Sequence, residues 1–393
     1  MSTRTLAAMF GLLGGIVTSG IAHGQTPAPA TGSATTTRDV KFTTHDGYDM
    51  LGRLTLPNTS GPHPVLVLVQ TAEAQAMEPQ TRNAQGERVP VYNLYRNNLT
   101  PLNVGFFTYE GRGVFTSATG GRQIDRPVYD TSTLDNKVRD GIAAVRVLQK
   151  EAGVDASQIF LRGISEGTLL AVEIAARIPN EVKGLALSGV IGDTLKSSLK
   201  FMAGGGAYLQ HRGHWDADGD GRISEQEFEA DPKGIRKQMP ATVVFRTFDT
   251  DGDGFYTERE CLARSKPLVD LIEAENLDVI EKWLQATASV PVPSPTRAWL
   301  KDHFSQPSMW DLVSRLTLSV GFFQGEADAN TSAADVRALE QKAKTAGKTN
   351  LEFSYYAGLD HGLGTLEYFT PRGTPSAGYA AIFDFMRRHT TSR

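Results

Sequence analysis

Cysteine is almost missing from this chain. Cys261 is the only one among 393 residues, so no intrachain disulfide can form, and stability must come from burial, with bound metal as a further source. Basic runs are missing as well. The 40 Lys and Arg are set against 44 Asp and Glu for a net charge of −4, and a chain without a basic patch is not expected to bind nucleic acid. Beyond the N-terminal stretch no apolar run approaches membrane-spanning length. Cys261 directly follows an acidic loop at the start of a helical pattern, where a small buried hydrophobe is expected rather than a nucleophile.

The one long apolar stretch is Leu6–Ala22, with Arg4 as the only charge before it and the small residues Ala22 and Gly24 at positions a signal peptidase favours. Residues 1–24 are therefore expected to be a cleaved export signal, which places the mature chain in a secreted or periplasmic compartment with no stable membrane span. No Cys follows the signal, which excludes a lipoprotein anchor. The Pro/Ala/Ser/Thr-rich residues 25–37 read as a disordered tether.

From residue 38 strand and helix signals alternate. "VKFTT", "HDGYD" and "MLGRLTLP" predict a hairpin, and the continuous apolar run "HPVLVLVQ" predicts a strand buried on both faces of a parallel sheet. Val138, Ile142, Val145 and Leu148 share one helical face. "QIFLRGIS", "EGTLLAVEIAARIP" and "VKGLALSGV" continue as strand, helix and strand. The class this predicts is α/β, with a mostly parallel central sheet and helices on both faces. Residues 193–308 break the pattern with helices and two acidic loops, and residues 309–393 resume it. The core is thus expected in two parts, 38–192 and 309–393. The segment between them leaves the sheet at a βα loop, where sites of α/β proteins lie, so it is expected to be a cap or lid.

"GISEG" carries Gly163-Ile164-Ser165-Glu166-Gly167 between a predicted strand and a predicted helix. That context makes Ser165 a candidate nucleophile on a tight turn, with the Glu166 amide at the helix N-terminus facing a developing oxyanion. A serine hydroxyl needs a base, and the base needs an orienting carboxylate. Asp328 in "FFQGEADAN" and His361 in "YYAGLDHGLG" each follow an apolar strand, on the same sheet edge as Ser165. Asp193, Glu326 and Asp360 are the other carboxylates near enough in pattern to compete with Asp328.

These motifs resemble the α/β-hydrolase superfamily, and within it the secreted esterase- or peptidase-like members with an N-terminal hairpin. "YEGRGVFTS" is similar to that superfamily's D-x-R-G-x-G-x-S segment, which braces the sheet edge, with Glu110 in place of the Asp and Phe115 in place of the second Gly. The resemblance implies acyl transfer to water through a Ser165–His361–Asp328 triad. The second oxyanion amide is implied to come from Thr71 or Ala72, because the loop after the third strand reads "QTAEAQ" where the superfamily has His-Gly.

The acidic loops are "DADGDGRISEQE" and "DTDGDGFYTERE". A twelve-residue calcium loop needs oxygen ligands at alternate positions, a Gly for the bend and a closing bidentate Glu. The first loop supplies Asp216, Asp218, Asp220, the Arg222 carbonyl, Ser224 and Glu227, and the second Asp249, Asp251, Asp253, the Phe255 carbonyl, Thr257 and Glu260. Residues 205–275 thus resemble an EF-hand pair, with two Ca²⁺ ions as the implied cofactors. Ile223 and Tyr256 are expected to pair as short strands, and Phe245 and Phe248 to lie on a helix entering the second loop. The insert contains only Met202 and Met239, so the Met-rich groove of a calcium sensor is not evident, and a structural clip is the expected role.

The expectation is an exported serine hydrolase of carboxylic esters with a calcium-bound lid. A peptidase with the same triad and a catalytically inactive calcium-dependent binding protein are the alternatives. The partner is a small ester or a short peptide.

Overall fold

The computed structural model describes residues 35–71, 77–116, 122–236, 239, 243–287 and 297–390. The expected export signal, most of the expected tether, and Ala72 lie outside them.

Eight strands form the central sheet: β1 (Thr35–Thr43), β2 (Asp49–Pro57), β3 (His63–Leu68), β4 (Gly105–Tyr109), β5 (Val154–Ile164), β6 (Gly184–Ser188), β7 (Ser319–Gly325) and β8 (Leu351–Tyr356). Their order across the sheet is β1-β2-β4-β3-β5-β6-β7-β8. β2 pairs antiparallel with β1 and with β4, and the remaining pairs are parallel. The hairpin expected from residue 38 begins earlier: Thr35, Thr36 and Thr37 pair with Pro57, Leu56 and Thr55. Three residues expected in the tether thus belong to a strand, because β-branched threonines suit a strand that has a partner.

Side chains alternate across the sheet with period two. Val65, Val67, Ile159, Leu161, Leu185 and Leu187 face one buried layer, while Leu66, Leu68, Phe160 and Ala186 face the other. Helices α2 (Leu134–Leu148) and α3 (Glu166–Arg177) pack into the first layer. α1 (Asn93–Leu99), between β3 and β4, packs into the second, together with the C-terminal helix (Ala377–His389). α2 is capped at its N-terminus by Thr133, whose side chain accepts from the Asn136 amide.

The insert leaves after β6 and returns before β7. Its helices are α4 (Leu195–Ala203), α5 (Gly205–Trp215), α6 (Glu225–Ala230), α7 (Glu258–Glu273), α8 (Leu277–Thr287) and α9 (Arg297–Phe304). The Met309 amide donates to the Asp193 carbonyl at 2.7 Å, which ties the two ends of the insert together. Trp215, Ile223, Phe228, Phe245, Phe248, Tyr256 and Cys261 form an apolar cluster of their own, apart from the layers on the sheet. Ile223 and Tyr256 do pair, as one of the two residue pairs of a short antiparallel ribbon joining the acidic loops. The helix expected to enter the second loop is only the tight turn Phe245–Thr247 among the described residues. Val243 and Val244 precede it, and Val244 is extended at φ −117° and ψ 163°. Two successive β-branched residues favour that extension over a helical turn.

Candidate active site

Ser165 sits between β5 and α3 with φ 57° and ψ −125°, a backbone that L-residues rarely adopt. A side chain at Gly163 would strike the Gly167 carbonyl, so the strand and helix can approach this closely only with glycine there. The Ser165 amide donates to the Ser188 carbonyl at 3.1 Å, which fixes the turn to the end of β6. Glu166 and Gly167 are the first residues of α3, and the opening amides of a helix have no partner within it. Thr71 lies beside them, with its methyl group 3.3 Å from where a Gly167 Cβ would be.

Asp328 and His361 follow the ends of β7 and β8. The Glu326 amide donates to the Tyr356 carbonyl and the Ala327 amide to the Leu359 carbonyl, each at 3.0 Å, so the two loops run alongside one another. Gly325 makes room for this, since a Cβ there would lie 2.5 Å from the Asp360 carbonyl. His361 Nδ1 is 2.9 Å from Asp328 Oδ2 and 3.0 Å from Oδ1. A carboxylate only accepts, so Nδ1 is the donor, and in the neutral ring Nε2 is left as an acceptor. The same imidazole abuts the backbone beside Ser165: a Cβ on Gly189, the residue after β6, would lie 2.8 Å from His361 Cε1.

Asp328 is 1% exposed, yet it accepts from the Asn330 amide at 2.8 Å, the Thr331 amide at 2.9 Å, the Thr331 hydroxyl at 2.6 Å and Gln324 Nε2 at 3.0 Å. Burial alone would raise its pKa, but the attraction of His361 and these donors outweigh burial and hold the carboxyl below its ordinary value. The competing carboxylates are engaged elsewhere. Glu326 pairs with Arg337, Asp360 accepts from the Gly364 amide, and Asp193 stands near Asp335 where the insert leaves the sheet.

The "EGRG" segment carries its brace on Arg112. Its guanidinium, 3% exposed, bonds Asp140 of α2 at 2.6 and 2.9 Å and Asp46 of the β1–β2 turn at 2.6 and 3.0 Å.

The acidic loops offer oxygen donors. Carboxylate oxygens of Asp216, Asp218 and Glu227 lie within 4.8 Å of one another, as do those of Asp249, Asp251 and Asp253. Asp220 stands outside the first group and pairs with Arg222 at 3.0 Å, while Glu260 stands outside the second. Glu227 accepts from the Ala217 and Ser224 amides, each at 2.8 Å, and Glu260 from the Thr250 and Thr257 amides at 2.6 and 2.9 Å. The loops are therefore already folded around their closing glutamates.

One cluster escaped the sequence. The Glu166 carboxylate is buried among Lys137, Trp299 and His303, which lie on α2 of the core and α9 of the insert. The only sequence signal was an acidic residue opening an otherwise apolar helix.

No family model matches the chain, and no curated protein matches it either. Solved structures do. The acylaminoacyl peptidase of Pyrococcus horikoshii aligns at 11% identity over 91% of this chain with a TM-score of 0.50, but the chain spans only 42% of that protein. Dipeptidyl peptidase 4 of Porphyromonas gingivalis aligns at 13% identity over 89% of this chain and 35% of its own, with a TM-score of 0.46. Esterase Est22 aligns at 14% identity over 92% and 82%, with a TM-score of 0.47. With the strand order and the site at the carboxyl edge, the first of these matches identifies the α/β-hydrolase fold.

Proposed function

We propose that this chain is an exported serine hydrolase that cleaves carboxylic esters through Ser165, His361 and Asp328. The observation that carries the reading is a strained, strand-to-helix serine on the same sheet edge as His361, whose ring bonds the buried Asp328. In that reading His361 Nε2 takes the Ser165 proton as Oγ attacks the ester carbonyl. The opening amide of α3, from Glu166, donates to the oxyanion, with an amide of the Thr71–Ala72 loop as the second donor. The tetrahedral adduct collapses, the C–O bond breaks, and the alcohol leaves with the proton from His361. Water, deprotonated by His361, then attacks the acyl-enzyme and releases the acid and free Ser165. Asp328 holds the Nδ1–H tautomer and stabilises the imidazolium between these steps.

The insert is proposed to be an EF-hand pair binding two calcium ions. The donor set fits a hard cation, since every side chain offered is an oxygen ligand and each loop closes on a glutamate. Bound calcium would neutralise the clustered carboxylates, and Asp216, Asp218, Asp220, the Arg222 carbonyl, Ser224 and Glu227 would hold it in the first loop. Asp249, Asp251, Asp253, the Phe255 carbonyl, Thr257 and Glu260 would do so in the second. This reading makes calcium a brace of the insert, outside the acyl chemistry.

Short peptides are the second substrate class, because the same acyl chemistry cleaves amides. A panel of p-nitrophenyl esters and aminoacyl anilides, run with and without calcium, decides between them. The reading expects ester turnover that is lost in Ser165→Ala, while anilide turnover without ester turnover would make the chain a peptidase. Full ester turnover in Ser165→Ala would remove the hydrolase reading altogether.

A further inference from the structure

Glu166 carries two groups with separate tasks. Its amide opens α3 directly after Ser165, and its carboxylate is a buried junction between the core and the insert. Oε1 accepts from Trp299 Nε1 at 2.6 Å and His303 Nε2 at 2.8 Å, and the Lys137 ammonium bonds Oε1 and Oε2, each at 3.0 Å. Lys137 comes from α2, whereas Trp299 and His303 stand four residues apart on α9, on one face of that inserted helix. All four side chains are buried.

The charges make this a lock rather than a loose contact. Burial would push the Glu166 carboxyl up, but the Lys137 charge and the donors from His303 and Trp299 outweigh it, and the carboxyl is held well below the usual range. An ionised carboxylate only accepts, so His303 Nε2 must donate. The ring is thereby fixed in one orientation, even though its buried Nδ1 has no hydrogen-bond partner.

The backbone at Ser165 supplies the reason for such a lock. A residue at φ 57° and ψ −125° keeps that conformation only if its surroundings over-determine it. The side chain of the next residue is anchored by four hydrogen bonds, and that anchor fixes the peptide whose N–H faces the oxyanion. On the far flank of the site, α5 of the insert rests on the Asp328 loop, since any side chain at Gly206 would strike the Ala329 carbonyl.

We propose that Lys137, Trp299 and His303 are positioning residues of the reaction, which hold the oxyanion amide through the Glu166 carboxylate. Helix α9 of the insert is then a fixed wall of the nucleophile turn and does not swing open as a lid. The proposal rests on the hydrolase reading of Ser165.

The test compares three variants on a p-nitrophenyl ester. Trp299→Phe keeps the ring and removes the donor, His303→Leu removes the donor, and His303→Gln keeps an N–H of similar reach. Active sites are counted by fluorophosphonate titration, so a misfolded fraction does not enter kcat. A trifluoromethyl ketone, which adds to the serine as a tetrahedral adduct, reports on the oxyanion site. Loss of positioning lowers kcat per active site by about tenfold or more in Trp299→Phe and His303→Leu, a part of what removing an oxyanion donor costs. KM stays within about twofold, and ketone affinity falls in step with kcat. His303→Gln retains kcat within about threefold. Wild-type kcat and ketone affinity in Trp299→Phe and His303→Leu would overturn the proposal, and so would a change confined to KM. If His303→Leu does not fold, Trp299→Phe and His303→Gln decide the question between them. A wild-type protein that takes no fluorophosphonate contradicts the hydrolase reading itself, and the proposal falls with it.

Discussion

Asp328 presents both carboxylate oxygens to one nitrogen of His361, at 2.9 and 3.0 Å, from a loop that also donates two amides and a hydroxyl to the same carboxylate. The loop therefore fixes the carboxylate, and the carboxylate fixes the imidazole. In Asp328→Asn the amide can donate to Nδ1, which moves the ring proton to Nε2 and removes the base. The expected loss in kcat is on the order of 10⁴-fold, with KM little changed. Steady-state kinetics on a chromogenic ester measures it, and a loss below tenfold would mean that another group orients the ring.

Stability should fall on acidification because of Glu166. Its folded-state pKa is lowered, so between that value and the unfolded value of about 4.3 the unfolded chain binds more protons than the folded one. The stabilisation is fully present above the unfolded value and is lost as pH falls toward the folded one. Glu166→Gln should be less stable at neutral pH, since it leaves Lys137 buried without its counter-charge. It should also lose less stability than wild type below about pH 4.3. Urea unfolding across pH gives both curves, and parallel curves would deny the buried charge its role.

Arg112 ties Asp140 to Asp46 and so joins α2 to the β1–β2 turn. Asp140 is buried, and burial already raises its pKa despite the guanidinium. Arg112→Met strands that carboxylate, and the expected cost is about 3–5 kcal/mol of unfolding free energy. Denaturant titration checks it, and a change of under 1 kcal/mol would make the brace dispensable, as an exposed ion pair is.

Calcium should stabilise the insert by mass action. At a free concentration 100 times Kd, one site contributes about 2.7 kcal/mol. Calorimetry in calcium and in excess chelator should therefore show a Tm lower by several degrees in chelator. Glu227→Gln and Glu260→Gln should each abolish part of the difference. Ester KM should respond to chelation more than kcat does, because the proposed ligands lie in the loops next to α5, α6 and α7 and not on α9, which carries Trp299 and His303. Identical melting curves would contradict a structural role for the metal.

The core pattern was legible because each signal was local. Alternation set the two faces of β3, β5 and β6, and the Gly163-x-Ser165-x-Gly167 spacing gave the strained turn. Asp328 and His361 were readable for the same reason, since each follows its own strand. What the sequence did not show depended on contacts across the chain. The junction of Lys137, Glu166, Trp299 and His303 joins residues more than a hundred positions apart. Among the described residues, the tight turn in place of an entry helix before the second acidic loop depended on how Val244 extends. Helical spacing of Phe245 and Phe248 suggested a helix, yet both side chains are buried from a tighter turn.

The central claim is that Ser165 is the nucleophile. The measurement that bears on it most directly is fluorophosphonate labelling followed by mass mapping of the labelled peptide. The account predicts one adduct, on Ser165, that is absent in Ser165→Ala and slowed in Asp328→Asn. A folded wild-type protein that takes no label, or a label that persists in Ser165→Ala, would contradict it.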